Sequence, residues 1–485
     1  MSPMTYEPVI GLEVHVQLAT ATKLFCGCST TFGSPPNAQA CPVCLGLPGV
    51  LPVLNQRAFE WGIKVALAFN CQLADVMKFD RKQYFYPDLP KNFQISQYDQ
   101  PLAHHGHLDI TVNGQTKRIA ITRIHMEEDA GKLLHDPQAP VSYVDFNRAG
   151  IPLLEIVSEP DLRSSEEAAQ YLLELKAILE YLEISTCNME EGSLRCDTNV
   201  SVRKAGTAVL GVKVEIKNLN SFKAVKASLE YEVARQTQAL DAGEPIRQET
   251  RLWNAKSLAT EPMRSKEGAS DYRYFPEPDL VPFRLEAAAN DRIARELPEL
   301  PAARRQRFLE TYGLSAYDAH VLTQHRCLAE LFEQAAAAWP HPKPIANWIM
   351  GDLLAYLNAK GLEPEAVAMQ PVWLVHLLEA IDKHTISGKM AKDIFVQAIE
   401  RQRDPEDLIE HEGLRQIVDD ATLDRLADEV MAAHPQSVQD YQKGKANALM
   451  FLVGKCMQRS QGKANPQQIT EILKRKLDIG KEVAS

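Results

Sequence analysis

The sequence predicts an α+β fold, an antiparallel sheet with flanking helices followed by an all-helical C-terminal region. Two observations favour this class. Residues from about 7 to 285 alternate between apolar and polar positions with frequent Pro and Gly, as strands do. From about residue 290 onward, Ala, Leu, Glu, Lys and Arg recur at helical spacing. We expect the boundary between Glu286 and Arg304, where Pro298 and Pro301 would interrupt a continuous helix.

Three segments of the first region have an apolar face and a charged face, which is typical of antiparallel strands covered on one side. In the segment 9–18, Glu13, His15 and Gln17 alternate with apolar residues. The segments 194–202 and 212–217 repeat this pattern, with Asp197 and Glu215 among the polar residues. Side chains of one strand point alternately to the two sides, so the charged residues of each segment share a face.

Two helices are predicted between these strands because their ends carry recognisable signals. Ser164 and Ser165, followed by two glutamates, are typical of a helix start, and an apolar stripe then extends to about Leu182. A second helix is predicted from about Phe222 to Leu240, ending before Gly243.

Composition and charge narrow the function. The 485 residues suffice for two or three domains, and the net charge of −11 argues against nonspecific nucleic-acid binding by the whole chain. The segment 441–485 is different, because it has nine Lys or Arg against three acidic residues. No secretion signal or membrane-spanning stretch is present in the sequence, so we expect a cytoplasmic protein without membrane association.

Four of the nine cysteines form two close pairs, Cys26 with Cys28 and Cys41 with Cys44, separated by twelve residues. This spacing can close a tetrahedral zinc site. Four thiolates fill the coordination of Zn²⁺, so we expect a structural metal that stabilises the loop. The remaining cysteines are scattered and are expected to be free thiols in a reducing compartment.

A second candidate site joins residues that are distant in sequence. Glu13 and His15 lie two positions apart on a predicted strand, a separation of roughly 7 Å. The segment RIHMEEDAGK at 123–132 concentrates His125, Glu127, Glu128 and Asp129. Carboxylates with one imidazole suit Mg²⁺ bound together with substrate phosphates, although a solvated charged turn is the competing interpretation. Asp197 and Glu215 could join this cluster if their strands are neighbours.

Two further features are less specific. Glu155 interrupts the apolar run IPLLEIV at 151–157, where burial would require a partner for its charge. Arg81 and Lys82 precede the aromatic run QYFYPDLPK at 83–91, which could contact a nucleotide or a tRNA acceptor end, or could equally be a packed turn. No Gly-x-x-x-x-Gly-Lys-Ser/Thr loop is present, so ATP would be bound without a Walker cradle, and no amidase nucleophile is evident.

Seven motifs resemble the B subunit family of the bacterial and organellar tRNA-dependent amidotransferases, and the resemblance extends over nearly the whole chain. They are VIGLEVHVQL at 9–18, LGLPGVLPV at 45–53, FDRKQYFYPDLP at 79–90, DFNRAG at 145–150, MEEGS at 189–193, EIKNLN at 215–220 and DYRYFPEPD at 271–279.

The resemblance implies a cradle domain at residues 1–290 that phosphorylates the side-chain carboxylate of Glu-tRNA(Gln) or Asp-tRNA(Asn) with ATP. Ammonia from the amidase, or A, subunit then forms the amide, and a small C subunit makes the complex a heterotrimer. The implied catalytic residues are Glu13, His15, Glu127, Glu128, Asp197 and Glu215. Of these, Glu13, His15, Glu127 and Glu128 are the implied Mg²⁺ ligands, while Cys26, Cys28, Cys41 and Cys44 match the family's zinc knuckle at 26–44.

The resemblance also implies a helical domain at 291–410 and a YqeY-like basic domain at 411–485 that binds tRNA. In the latter, the residues expected to contact tRNA are Lys443, Lys445, Lys455 and Lys463. Two alternatives remain open: a zinc-containing tRNA-binding scaffold without chemistry of its own, and the archaeal glutamyl-specific relative, which carries an inserted domain. Which misacylated tRNA is the substrate does not follow from the sequence.

Overall fold

A computed structural model describes residues 6–136, 138–263, 272–366, 369–412, 414–417, 419–445, 447–460 and 462–482, with the side chains of 479–482 excepted. Asp271, the first residue of the last family motif, therefore lies outside the described residues. Residue contacts divide the chain into two compact units, Met1–Arg304 and Arg305–Ser485. Within the described residues, no helix has both the length and the apolar character needed to cross a membrane.

The predicted fold class is confirmed: a sheet-rich N-terminal region is followed by helices. The strands are β1 (Tyr6–Gln17), β2 (Gln72–Leu73), β3 (Val76–Met77), β4 (Asp80–Gln83), β5 (Phe93–Ser96), β6 (Ala103–Val112), β7 (Gln115–Glu128), β8 (Lys132–His135), β9 (Ser142–Asp145), β10 (Pro152–Ser158), β11 (Leu194–Lys204), β12 (Val214–Lys217), β13 (Glu249–Asn254), β14 (Ala259–Pro262), β15 (Phe275–Pro276) and β16 (Phe283–Arg284).

The helices of the first unit are α1 (Gln56–Ala68), α2 (Ser165–Tyr181), α3 (Phe222–Asp241) and α4 (Ala287–Arg295), and α5 (Pro301–Tyr312) crosses the boundary. The second unit continues with α6 (Ala316–Thr323), α7 (Arg326–Ala338), α8 (Pro342–Trp348), α9 (Leu354–Lys360), α10 (Pro371–Asp382), α11 (Gly388–Arg401), α12 (Pro405–His411), α13 (Asp420–Ala433), α14 (Pro435–Gln442), α15 (Asn447–Arg459) and α16 (Pro466–Glu482). A π-helical segment (Ile349–Leu353) joins α8 to α9, and a 3-10 turn (Pro364–Ala366) precedes α10.

A large sheet forms the framework of the first unit. Its nine strands follow the order β14-β13-β12-β11-β1-β10-β7-β6-β2, and every pair is antiparallel except β12 with β13. The apolar residues of β1 predicted to share a face, including Leu12, Val14 and Val16, are buried in one core with residues of α1, α2 and α3. The opposite, polar face of the central strands is thereby left available for a site.

The two predicted helices are present, and side-chain caps begin both. The hydroxyl of Ser164 accepts a hydrogen bond from the backbone N–H of Glu167 at the start of α2 (3.1 Å). Ser221 does the same for the N–H of Ala224 at the start of α3 (3.1 Å). Such caps satisfy backbone donors that the first helical turn cannot pair internally.

The second unit contains two separate hydrophobic clusters. One involves helices between α5 and α12, with Phe308, Phe332 and Phe395 among its most buried residues. The other is formed by α13, α15 and α16, including Leu423, Leu452 and Leu473. The predicted domain limits near 290 and 410 stay predictions, although these clusters lie on either side of the second limit.

A buried carboxylate ties the ends of three central strands together. Asp129, just beyond β7, accepts hydrogen bonds from Gln17 (2.6 Å), the last residue of β1, and from Arg195 of β11 (2.9 Å). Arg148 Nε lies 3.3 Å from the same carboxylate. Burial alone would raise the pKa of Asp129, but the two guanidinium groups outweigh burial and lower the pKa.

This arrangement predicts an acid-sensitive contribution to stability. Because the folded-state pKa of Asp129 is lowered, its contribution is present above the unfolded pKa of about 3.9 and is lost as pH falls towards the folded pKa. We expect Asp129→Asn to lower the free energy of unfolding at pH 7 by about 1–3 kcal/mol, since buried donors lose their acceptor.

The test is urea unfolding of wild type and variant at pH 7 and near pH 3, where the difference should narrow. Asp109→Asn is the matched control, because Asp109 pairs with Arg118 on an exposed part of β6 and β7. A pH-independent difference at Asp129, or equal effects of the two variants, would contradict the prediction.

Candidate active site

The polar face of the central strands collects charged residues from five strands. Pairing places His15 of β1 opposite Glu155 of β10 and Arg195 of β11, and Glu155 in turn opposite His125 of β7. Glu13 lies opposite Asp197 of β11. Residues paired across neighbouring strands point to the same side of a sheet. These side chains therefore share one surface although they lie up to 184 positions apart in the sequence.

Two imidazoles and two carboxylates form the centre of this face. His15 Nε2 lies 3.2 Å from Glu155 Oε2 and 3.9 Å from Glu127 Oε1. His125 Nε2 lies 3.5 Å from the same oxygen of Glu155 and 3.7 Å from Glu127 Oε2. His125, Glu127 and Glu155 are buried, and His15 is partly buried. We call these four residues the His–Glu cluster.

The electrostatics of the His–Glu cluster favour charged carboxylates. Burial by itself would raise the pKa of Glu155, but His125 and His15 outweigh it and the pKa is lowered. Burial is the largest single influence on Glu127 and would raise its pKa, but the hydrogen bond from His125 together with the charge of Lys82 lowers it. For His15, burial would lower the pKa, but the hydrogen bond to Glu155 and the charges of Glu155 and Glu127 together raise it. The charged forms of His15, Glu127 and Glu155 are thus stabilised by their neighbours.

The His–Glu cluster fits a divalent cation. One ligand atom each from His15, Glu127 and Glu155 can be chosen so that all three lie within 4.8 Å of one another. The buried Nδ1 of His125 has no hydrogen-bond partner in the part of the chain that the structure describes. Carboxylate oxygens are the ligands that Mg²⁺ prefers, and the ion commonly uses only one or two of them beside substrate phosphates.

A second group of polar residues lies on the neighbouring strands. Glu13 accepts a hydrogen bond from Asn199 (3.0 Å), and Lys217 lies 2.7 Å from Asp197 and 3.1 Å from Glu215. Burial raises the pKa of Glu13, and the negative charges of Glu155, Glu215 and Asp197 raise it further. Lys217 already neutralises part of this group. The predicted single cluster is therefore two adjacent ones.

Glu128 lies apart from both groups. Consecutive strand residues point to opposite sides, so its carboxylate lies away from Glu127, pairs with Lys91 and accepts a hydrogen bond from the N–H of Ile95 (2.9 Å). Together with Lys91 and Cys44, Glu128 lines a cavity of about 230 Å³. The structure thus brings His15 and Glu127 together, places Glu13 beside them, and does not bring Glu128 to the same place.

Glu155 and His125 belong to the centre of the site but were not among the predicted site residues. A signal for Glu155 existed, since an acid within an apolar run needs a partner, and His15 and His125 are that partner. His125 was noted only as part of a charged segment. The strand order that places β10 between β1 and β7 could not be derived from the sequence.

The four predicted zinc ligands converge. Their Sγ atoms all lie within 4.8 Å of one another, and all four residues are free cysteines. The backbone N–H of Cys41 donates to Cys44 Sγ (3.1 Å), a contact that orients the second pair. A hydrogen bond from Cys26 is the largest influence that lowers the pKa of Cys44, to about 4. Four converging thiols, of which Cys44 has a lowered pKa, fit a structural Zn²⁺.

Lys23 connects this cysteine cluster to the rest of the unit. Its side chain is fully buried, with 0% exposure. The ammonium donates to the carbonyl oxygens of Gln39 (2.7 Å) and Phe146 (3.1 Å) and lies 3.7 Å from Cys44 Sγ. A buried ammonium requires such compensation, and a neighbouring thiolate supplies it.

The predicted tRNA-contacting lysines lie around the last three helices. Lys443 and Lys445 follow α14, Lys455 lies within α15, and Lys463 lies in the turn before α16. Lys445 pairs with Asp440 on the surface, and the ammonium of Lys455 lies 5.5 Å from the ring centroid of Phe451. Their role in binding tRNA stays a prediction.

Comparison with known proteins agrees with the sequence resemblance. Residues 8–291 match the model of the GatB/GatE catalytic domain, and residues 330–477 match that of the GatB domain. The B subunit of the aspartyl/glutamyl-tRNA(Asn/Gln) amidotransferase of Carboxydothermus hydrogenoformans is 56% identical over 97% of this chain and 99% of its own length.

The corresponding proteins of Caldanaerobacter subterraneus and Thermosynechococcus vestitus are 54% and 53% identical, each over 98% of this chain and over 100% and 97% of their own lengths. Identity at this level over nearly the full length carries the same fold and family. The chain therefore belongs to the B subunits of the tRNA-dependent amidotransferases, a ligase-type family that acts in protein synthesis.

Proposed function

We propose that this chain activates the side-chain carboxylate of Glu-tRNA(Gln), Asp-tRNA(Asn) or both by ATP-dependent phosphorylation, and that ammonia from a partner amidase then converts it to the amide. The observation that supports this role best is the His–Glu cluster, where His15, His125, Glu127 and Glu155 converge from three strands. A binding scaffold has no need of two buried carboxylates beside two imidazoles.

The chemistry explains why such a site is required. A carboxylate does not react with ammonia directly, because its leaving group would be an oxide; phosphorylation replaces that group with phosphate. His15, Glu127 and Glu155 would hold Mg²⁺, which when bound screens the charge of the phosphates and the substrate carboxylate. The sequence-based ligand set named Glu13 and Glu128 as well, and the geometry favours Glu155 in their place.

The second polar group, which contains Glu13, Asp197 and Glu215, is suited to the attack of ammonia on the activated carboxyl. When ammonia attacks the acyl phosphate, phosphate leaves with the bonding electrons and the nitrogen must lose a proton. Glu13 has a raised pKa, so it binds a proton more readily than an ordinary carboxylate and is our candidate acceptor. The negative charges of Asp197 and Glu215 help to raise the pKa of Glu13. The ammonium of Lys217 offsets part of the negative charge of these two carboxylates.

The proposal extends to the partners and to zinc. The amidase, or A, subunit together with a small C subunit would form a heterotrimer with this chain, since its described residues present no amidase site. Misacylated tRNA would be held by the basic surface around Lys443, Lys445, Lys455 and Lys463, through contacts with phosphates that set position. Zn²⁺ on the four cysteines would stabilise their loop and take no part in catalysis.

Replacement of Glu127 tests the proposed catalytic role. In the complex with its partner proteins, we expect Glu127→Gln to lower ATP-dependent amide formation by roughly 100-fold or more, the scale at which single electrostatic groups act. Binding of tRNA should change little. The measurement is conversion of labelled Glu-tRNA(Gln) and Asp-tRNA(Asn) with and without ATP. Glu166→Gln, at an exposed surface pair with Lys226, is the matched control. Full activity of the Glu127 variant would favour the scaffold alternative.

Metal analysis tests the cysteine cluster. We expect the purified chain to contain about one zinc per polypeptide, and Cys44→Ser to lose it, because three thiolates leave the coordination incomplete. Thermal unfolding of the variant should begin at a lower temperature, since metal binding contributes to folding. Cys456→Ser, at a buried cysteine of α15, should keep its zinc. Zinc retained at full occupancy in the Cys44 variant would exclude this site.

Charge removal tests the tRNA surface. Replacing Lys443, Lys445, Lys455 and Lys463 together by Ala should weaken tRNA binding and reduce the salt dependence of the affinity, with a slope lower by up to about 3. ATP hydrolysis should change much less. The matched control replaces Lys360, Lys383, Lys389 and Lys392, which lie on or beside α9, α10 and α11. An equal loss of tRNA affinity in both variants would show that net charge alone is responsible.

A further inference from the structure

A row of four tyrosines borders the His–Glu cluster. Tyr98 and Tyr274 are stacked with centroids 4.3 Å apart and planes at 9°. Tyr272 makes edge contacts with Tyr274 (6.1 Å) and with Tyr84 (6.0 Å), so the rings form one continuous row. The residues come from three chain segments that meet around β4, β5 and β15. We call Tyr84, Tyr98, Tyr272 and Tyr274 the tyrosine row.

The tyrosine row is close to the acidic centre of the site. The hydroxyl of Ser96, the last residue of β5, donates to Glu127 (3.1 Å), and Tyr98 follows two residues later. Burial raises the pKa of Tyr84, and the charge of Glu127 is the next largest cause. For Tyr274 the order is the same: burial first, then Glu127. Both rings are therefore within electrostatic reach of the proposed metal ligands.

The tyrosine row is not simply part of the core. Tyr98 is 55% exposed although one face of its ring is covered by Tyr274. Tyr272 is also exposed, and neither ring belongs to the hydrophobic core of this unit. An exposed, stacked ring beside a catalytic centre is typical of surfaces that stack nucleobases.

Two cations beside the tyrosine row lack carboxylate partners. The ammonium of Lys82 lies 5.1 Å from the ring centroid of Tyr272 and 5.8 Å from that of Tyr84, and it forms no ion pair with any described carboxylate. Arg123 lies on β7 two residues before His125, close enough to Tyr274 for its charge to affect that hydroxyl, and its buried Nε has no hydrogen-bond partner among the described residues. Arg123 likewise has no ion pair in the described part of the chain.

The neighbouring cations Arg81 and Lys91, in contrast, have carboxylate partners. Arg81, adjacent to Lys82, makes two hydrogen bonds to Glu277 (2.7 and 2.9 Å), and Lys91 pairs with Glu128. Lys82 instead lies near enough to Glu127 and Glu155 for its charge to lower the pKa of both carboxylates. Among the described residues, Lys82 and the Nε of Arg123 therefore have no hydrogen-bond partner, whereas Arg81 and Lys91 are paired with carboxylates.

From these contacts we infer that the tyrosine row, Lys82 and Arg123 bind an adenosine and the phosphate attached to it. The base stacks on the exposed ring surface of Tyr98, and Lys82 and Arg123 donate to the phosphate oxygens. The two cations offset the repulsion that Glu127 and Glu155 exert on an incoming phosphate. This inference rests on the proposed function and names residues that would position its substrates.

Two molecules in the proposed reaction contain this chemistry: ATP and the 3′-terminal adenosine of the misacylated tRNA. The test therefore uses the assembled complex and measures two quantities separately. One is KM for ATP at saturating misacylated tRNA, together with the Kd of ATP. The other is KM for misacylated tRNA at saturating ATP. The KM value that changes shows whether the bound adenosine belongs to ATP or to the tRNA.

The base-stacking arm uses Tyr98. Tyr98→Ala should raise one of the two KM values by about 5- to 50-fold, the range expected for loss of one base–aromatic stack. Tyr98→Phe should keep the wild-type value, because it retains the ring. Tyr317→Ala is the matched control, since this tyrosine of α6 is 70% exposed and lies in the other unit. Thermal unfolding establishes that each variant is folded.

The phosphate arm uses the two cations. Lys82→Met and Arg123→Met should each raise the same KM value that Tyr98→Ala changes, by about tenfold, as expected for loss of one hydrogen bond to a charged group. Lys82→Arg should recover most of the binding. Arg118→Met, which removes an exposed cation from the same strand as Arg123, is the charge-matched control.

The outcomes separate the two proposals. If wild type forms amide with ATP and both KM values and the Kd stay at wild-type levels in the Tyr98, Lys82 and Arg123 variants, the inference is overturned while the proposed function stands. If wild-type complex forms no ATP-dependent amide, the proposed function fails, and direct ATP or tRNA binding by the same variants still decides the inference.

Discussion

The arrangement of the site depends on antiparallel pairing at the centre of the large sheet. Because β10 lies between β1 and β7, Glu155 is flanked by His15 on one side and by His125 on the other. A shift of one residue in either pairing would turn one partner to the opposite face. Asp129 connects the ends of β1, β7 and β11 by hydrogen bonds, and these contacts stabilise the pairing register of the central strands.

The same pairing separates tasks between the two sides of the sheet. The apolar residues of β1 face helices α1, α2 and α3, and their burial provides most of the stabilisation. The other side collects charge that would be unfavourable in isolation, since two buried carboxylates repel each other. The burial of apolar residues on one side offsets the repulsion between the buried carboxylates on the other. A divalent ion and substrate phosphates are the natural complement of such a face.

Much of this could be predicted from the sequence, and the limits have physical reasons. Alternation along β1 and β11 is strictly local, so it revealed that Glu13, His15 and Asp197 occupy polar faces. The spacing of the cysteine pairs alone likewise predicted that the four thiols converge. The helix starts at Ser164 and Ser221 follow from local hydrogen bonds, of which the first was recognised as a capping signal.

Long-range pairing was not predictable in the same way. Glu128 was grouped with Glu127 because the two are adjacent in sequence, yet adjacency in a strand places them on opposite sides. Glu155 was recognised as unusual, but its partners depend on strand order, which many topologies could satisfy. Lys217 contacts both Asp197 and Glu215. Its contact with Asp197 could be recognised only from the pairing of β11 with β12.

Lys23 has a consequence for electroneutrality. Four thiolates around one Zn²⁺ would carry a net charge of −2, and the buried ammonium beside Cys44 would cancel half of it within the protein interior. The same ammonium binds the carbonyl oxygen of Phe146, close to the loop that leads into β10. Oxidation of the Cys44 thiol would remove the negative charge that lies closest to this cation. Because Lys23 also contacts Phe146, oxidation in the cysteine cluster would affect, through this single side chain, the segment that leads to Glu155.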